Sequence, residues 1–226
     1  MIGPYALACL DMAGTTVRDD GAVERAFAEA LAAVGVTEGT PRYDEAQRFV
    51  GETMGWSKAD VFAQLLEADE VQRATSRFAS AYEAIVASGA VVPIPGAPAV
   101  LRDLRAHGVK VCLTTGFAPS TRDALLGALG WRESIDLALS PADVGRGRPA
   151  PDLILGAMMR LGVDEPGAVA VVGDTVSDLE AGTAAGARAV IGVLSGAHDE
   201  ATLAAAPHTA IVPDVTGLIG LLERSK

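Results

Sequence analysis

The sequence predicts an α/β fold, a Rossmann-like parallel sheet core that carries a small inserted helical cap domain. Three observations predict it. Short apolar runs at residues 5–10, 109–114 and 168–172 each stop on polar or glycine residues, as buried strands do at a sheet edge. Stretches 97–107, 120–129 and 151–161 place apolar residues at three- and four-residue spacing, the pattern of amphipathic helices. Residues 19–88 break that rhythm, with amphipathic helices predicted at 23–34, 57–66 and 71–86 and no convincing β run.

The first run ends on Asp11 with Gly14 close behind, a strand entering a turn. The helical excursion begins just after Val17 and returns through Val91, Val92, Pro93, Ile94, Pro95 and Gly96, a stiff linker. This divides the chain into a core of residues 1–18 and 89–226 and an inserted domain of residues 19–88. The second run leads to Thr115 and Gly116, the third to Gly173 and Asp174. Alternating strands and helices imply a parallel sheet, in which ligands gather beyond the carboxyl ends of the strands. Asp11, Thr115 and Asp174 are all predicted there.

Half of the 226 residues are hydrophobic and only 4% aromatic, so Ala, Val, Leu and Ile build the interior. A formal charge of -11 argues against nucleic acid and anionic membranes as partners, both being polyanions. A small anionic substrate remains compatible, because local cations and backbone amides can hold a phosphate inside an acidic protein. Cys9 and Cys112 lie in strand-like runs and read as structural thiols. No stretch approaches the roughly 20 apolar residues of a membrane span, and no signal-peptide pattern is present. The expectation is a soluble cytoplasmic protein.

The chemistry concentrates at the strand ends. Asp11 opens DMAGTT, where Thr15 and Thr16 offer hydroxyls and amides to an anion and a carboxylate can attack phosphorus. A turn or helix-capping aspartate is the plain alternative. GDTVSD supplies Asp174 and Asp178, hard oxygen donors suited to Mg2+, although Asp178 also suits a helix cap. In GRGRPAP, Arg146 or Arg148 can fork a phosphate, with surface exposure the alternative reading. Thr115 and Gly116 offer a hydroxyl and amides to a phosphate oxygen.

In order and spacing, DMAGTT, TTG, GRPAP and GDTVSD resemble the four motifs of the haloacid dehalogenase superfamily, over almost the whole chain. The resemblance implies Asp11 as nucleophile, Thr115 and Arg148 as phosphoryl-positioning residues, and Mg2+ held by Asp11, the Ala13 carbonyl and Asp174, with Asp178 in the same acidic set. It implies that residues 19–88 are a helical cap closing over the crevice. Most phosphatases of the superfamily carry an acidic residue where this chain has Ala13, and a methyl group donates no proton.

DMAGTT with that alanine resembles phosphonoacetaldehyde hydrolase and the phosphonatase-like hydrolases. The first of these families forms a Schiff base between a cap lysine and the substrate aldehyde, an electron sink for breaking a phosphorus to carbon bond. TMGWSK matches its cap motif and puts Lys58 at the Schiff-base position, with Met54 and Gly55 as substrate contacts or helix-entry packing. The resemblance also implies a homodimer through the cap. Val61 departs from it, standing where the family tends to have a histidine. His107, His198 and His208 match no catalytic position and read as surface or packing residues. The leading expectation is hydrolysis of a small phosphonate through an aspartyl phosphate. The alternatives are a phosphomonoesterase of the phosphoglycolate phosphatase kind, and a binding or regulatory protein without turnover, which the complete set of catalytic positions disfavours.

Overall fold

A computed structural model describes residues 2–224. The first half of the chain runs β1 (Leu7–Asp11), β2 (Val17–Arg18), α1 (Ala22–Ala32), α2 (Pro41–Glu52), α3 (Lys58–Leu65), α4 (Ala68–Ala87), β3 (Val92–Pro93), α5 (Ala97–Ala106) and β4 (Lys110–Thr114). The second runs α6 (Pro119–Leu129), β5 (Leu137–Leu139), α7 (Asp152–Leu161), β6 (Val169–Gly173), α8 (Val176–Ala184), β7 (Ala189–Val193), α9 (Glu200–Ala204), β8 (Ala210–Val212) and α10 (Leu218–Arg224).

Six strands form one parallel sheet in the order β5-β4-β1-β6-β7-β8. Every residue of β1, β6 and β7 is buried, which explains their continuous apolar sequences: both faces of the sheet are covered by helices. The chain moves outward from β1 through β4 to β5, then crosses back to place β6 on the other side of β1. This reversal puts a topological switch point at the carboxyl end of β1, the place where such sheets open a ligand crevice. Cys9 and Cys112 face each other in register on β1 and β4, buried and free, as structural thiols should be.

The predicted linkers into and out of the helical segment are paired. Val17 and Arg18 lie antiparallel to Val92 and Pro93, so the excursion leaves and returns through a two-stranded ribbon. Predicted helices at 23–34, 57–66 and 71–86 correspond to α1, α3 and α4, the last being longer than its periodicity suggested. Helix α2 lies outside those predictions because its apolar stripe is thin, with only Ala46 and Val50 buried. Its sequence signal is instead a start signal: Thr40 caps the helix by accepting the Tyr43 N–H, and Pro41 follows in the first turn.

An aromatic cluster binds these helices to one another and to the core. Phe27 of α1 packs on Phe62 of α3 at 5.2 Å and on Phe78 of α4 at 4.8 Å, while Tyr82 of α4 meets Phe117, which follows β4, at 4.5 Å. Phe62 is fully buried, so truncation leaves a cavity in a site with little freedom to collapse. Phe62→Ala is therefore expected to destabilise the fold by about 3–5 kcal/mol. A urea melt checks it, and an unchanged midpoint would show that the cluster does not hold the helices.

Candidate active site

The loop after β1 is a tight turn built on one carbonyl. Met12 O accepts the N–H groups of Thr15, Thr16 and Val17 at 3.3, 2.9 and 2.8 Å, and the Thr16 hydroxyl closes back on Asp11 O at 2.9 Å. Gly14 sits in this turn at φ +89, where a Cβ would come 2.3 Å from Asp174 Oδ2. The turn thus needs a residue without a side chain, and it brings the ends of β1 and β6 together.

Asp174 is fixed from two sides: Thr15 Oγ1 donates to Oδ1 at 3.0 Å and the Ala197 N–H donates to Oδ2 at 2.8 Å. Asp178 Oδ2 receives the Thr175 hydroxyl and N–H at 2.5 and 3.2 Å, while Thr175 Oγ1 accepts the Asp178 N–H in return, a reciprocal cap on α8. Arg148 Nη1 donates to Asp11 Oδ1 at 2.5 Å and also to Asp178 Oδ1. Its Nε is buried without a hydrogen-bond partner among the described residues. Arg146, by contrast, is exposed and forks Asp152 at 2.9 and 2.8 Å, which decides between the two arginines of GRGRPAP.

Asp11, Ala13, Met54, Gly55, Lys58, Thr115, Gly116, Arg148 and Asp174 line one cavity of ≈ 30 Å³. Two of the expected residues, Thr15 and Asp178, lie outside that lining. The Thr15 hydroxyl is turned to Asp174, and Asp178 is occupied by the helix cap and by Arg148, so both position the residues that line the cavity. Thr115 Oγ1 accepts the Phe117 N–H at 3.2 Å, fixing the loop after β4.

Burial pushes the Asp11 carboxyl well above its usual range; Arg148 opposes the shift, and Asp178 and Asp174 add to it. Asp174 is pushed up to about 6 by burial and by Asp178. On Arg148, burial works against the charge, but Asp11 and Asp178 more than offset it, and its pKa is raised. Three dry carboxylates with one guanidinium among them leave negative charge uncompensated, the setting of a cation site. Among the described residues no three acidic, histidine or cysteine side chains form a ligand set on their own. Asp11, Asp174 and the backbone at Ala13 are nevertheless hard oxygen donors, and Mg2+ commonly takes one or two carboxylates and fills its remaining positions with water and phosphate oxygens. The residues present fit that ion.

Lys58, the first residue of α3, is 7% exposed. Its Nζ lies 5.3, 5.8 and 5.6 Å from the ring centroids of Phe27, Phe78 and Phe117, and among the described residues it forms no ion pair. Burial lowers its pKa from 10.5 to about 8, with Arg148 adding to the shift and Asp11, Asp19 and Glu24 opposing it. The segment before α3 is pressed onto the core: the Lys58 N–H donates to Gly116 O at 3.3 Å, and a Cβ on Gly116 would meet the Trp56 carbonyl at 2.2 Å. Val61 is buried in the core, a packing residue. The cage of Phe27, Phe78 and Phe117 escaped the sequence reading, since rings at helical spacing look like any apolar stripe. His107 and His208 are exposed, and His198 accepts the Val176 N–H at 3.0 Å at the start of α8.

The sequence profile of the haloacid dehalogenase-like hydrolases matches residues 5–186. A phosphonoacetaldehyde hydrolase from Bacteroides fragilis is 38% identical over 112 residues, 48% of this chain and 41% of that protein, so the match spans less than half of its length. A probable phosphatase, IndB, from Dickeya dadantii is 30% identical over 95% of this chain and 92% of its own. The crystal structure of a phosphonoacetaldehyde hydrolase like protein from Oleispira antarctica superposes with a TM-score of 0.81 at 24% identity, covering 100% of this chain and 96% of that one, which establishes a shared fold. No helix of the described residues is long and apolar enough to cross a membrane.

A lysine held at about 8 rather than 10.5 carries a folding penalty of roughly 3 kcal/mol while protonated. Lys58→Met is expected to stabilise the protein at pH 7 by about 1–3 kcal/mol in chemical denaturation. Between pH 8 and 10.5 the unfolded chain binds a proton that the folded chain does not, so the stability of the unaltered protein rises with pH there and the variant's advantage shrinks. A variant no more stable than the parent would show that the cage welcomes the charge.

Proposed function

This chain belongs to the haloacid dehalogenase-like hydrolases, and from that membership we propose that it cleaves the phosphorus to carbon bond of a small carbonyl-bearing phosphonate, phosphonoacetaldehyde being the simplest. One observation carries the reading: a caged lysine, its amine poised near neutrality, shares a cavity with Asp11 and Arg148. Ala13 makes sense beside it. Without an acid at that position an alkoxide leaving group goes unaided, whereas a carbanion stabilised through an imine needs none.

The Lys58 amine, neutral when it reacts, adds to the substrate carbonyl and loses water to give an iminium. Asp11 attacks phosphorus in line, and the electrons of the breaking P–C bond pass to the iminium, leaving an enamine. Protonation of the enamine carbon and hydrolysis return the aldehyde and the free amine, while water cleaves the aspartyl phosphate. Arg148 holds phosphoryl oxygens, its unpartnered Nε being a donor in waiting. Asp11, Asp174 and the Ala13 carbonyl would hold Mg2+, which would supply charge neutralisation between carboxylate and phosphate. The cavity is too small for the substrate as it stands, so the helical segment 19–88 opens on the β2–β3 ribbon to admit it and closes to exclude water.

A phosphomonoesterase is the second reading. It is supported by the nearly full-length similarity to the probable phosphatase, and by Asp11, Arg148 and Asp174 forming a phosphoryl site that makes no use of Lys58. Phosphate release with Mg2+ from phosphonoacetaldehyde, run beside phosphoglycolate, separates the two. The expected result is a preference for the phosphonate, with kcat/KM rising as pH climbs through about 8 and free amine appears. Lys58→Arg should lose that activity by a factor on the order of 10³ or more, and Asp11→Asn should abolish turnover of both substrates. Turnover of the ester alone, indifferent to Lys58, would establish the second reading.

A further inference from the structure

Lys58 has a second side. A pocket of ≈ 130 Å³ lies between the helical segment and the core, and Lys58, Gly116 and Phe117 belong to its walls as well as to those of the cavity holding Asp11. Its remaining walls come from α3 and α4 on one side and from the start of α6 and residues 141–142 on the other. Phe78, Ala79, Pro119, Pro141 and Ala142 make it largely apolar, and among the described residues Lys58 is the only ionisable group in its lining. Thr75, also in the lining, keeps a buried hydroxyl without a hydrogen-bond partner among the described residues.

The two cavities differ in what they can hold. A cavity needs roughly 10–15 Å³ to hold one water. The phosphoryl-side space of ≈ 30 Å³ therefore leaves no room for a further substituent, whereas the pocket of ≈ 130 Å³ does. A substrate bound through a Lys58 imine has phosphorus on one side of its carbonyl carbon and any further substituent on the other. The pocket shares Lys58 with the phosphoryl cavity and so adjoins the imine position, and once Lys58 is engaged as the imine no other ionisable side chain among the described residues lines it.

Resting on the reading of Lys58 as imine-forming, we infer that this pocket is a subsite for an uncharged apolar substituent on the substrate carbonyl, so that 2-oxoalkylphosphonates are substrates alongside the two-carbon aldehyde. The chemistry balances as before. The ketone condenses with the amine and releases water, the P–C electron pair enters the iminium, and phosphorus passes to Asp11. Protonation and hydrolysis then release a methyl ketone, and water frees the phosphate.

The test measures kcat/KM with Mg2+ for phosphonoacetaldehyde, 2-oxopropylphosphonate and 2-oxopentylphosphonate, following both phosphate and ketone. The subsite predicts turnover of both ketones and roughly a ten-fold or greater gain from the three-carbon to the five-carbon compound, the discrimination a hydrophobic pocket typically gives. Ala79→Leu, which fills the pocket from α4, should shift the five-carbon to two-carbon ratio at least ten-fold downward. Ala142→Leu, from the opposite wall, should shift it in the same direction, with thermal melts verifying that both variants fold. Cleavage of the aldehyde with neither turnover nor competitive inhibition by the ketones would overturn the subsite while leaving the imine intact. A proportional loss on all substrates in both variants would overturn it equally. An untouched aldehyde beside a hydrolysed phosphate ester would instead remove the imine, and the subsite with it.

Discussion

The guanidinium of Arg148 is the point on which the site closes. It joins Asp11 at the end of β1 to Asp178 in the first turn of α8, and all three side chains are buried. Removing one member would strand the others in a dry crevice, which typically costs several kcal/mol. The link also fixes the loop that carries Arg148, so that three separated stretches of chain are locked at the carboxyl edge of adjacent strands. Asp178 serves this arrangement twice, capping α8 with one oxygen and holding Arg148 with the other.

That closure leaves an imbalance, and function follows from it. Burial first, and then the excess of carboxylates over the one guanidinium, hold Asp11 and Asp174 above their ordinary pKa values. Opposite them Lys58 experiences the converse strain. Burial among three phenylalanine rings favours its neutral form, and the nearby Arg148 pushes the same way. The acidic floor and the lysine roof come from different parts of the fold, core and helical insertion, and they meet because Gly116 lets the Trp56 carbonyl approach without a side chain between them. Stability given up in burying Lys58 is the kind of cost that functional sites bear.

Much of this was legible in the sequence. Strands ending on Asp11, Thr115 and Asp174 announced themselves by apolar runs and abrupt polar stops, and parallel topology then required them to converge. The positions of β7 and β8 at the far side of the sheet, and of β5 at the other edge, were not read, because short runs such as Leu137–Leu139 carry too little pattern. Helix α2 hid behind a thin apolar stripe. At the site, residue type located Thr15 and Asp178 but not their direction: only the fold turns the Thr15 hydroxyl to Asp174 and Asp178 to the helix cap. The cage around Lys58 was beyond reach for the same reason, since Phe27, Phe78 and Phe117 are far apart in sequence and meet only through tertiary packing. That Arg148 rather than Arg146 is buried likewise depends on which side of the loop faces the strand ends.

On the proposed function, the Lys58 amine forms a covalent bond to the substrate carbonyl. Incubation with phosphonoacetaldehyde and borohydride, followed by peptide mass mapping, tests it most directly, because reduction converts a transient imine to a permanent amine. Irreversible loss of activity that requires both reagents together is expected, with the added mass on the peptide containing Lys58. Full activity after treatment, or mass added only at the exposed Lys110, would contradict it and leave Lys58 a buried packing residue beside a phosphatase site.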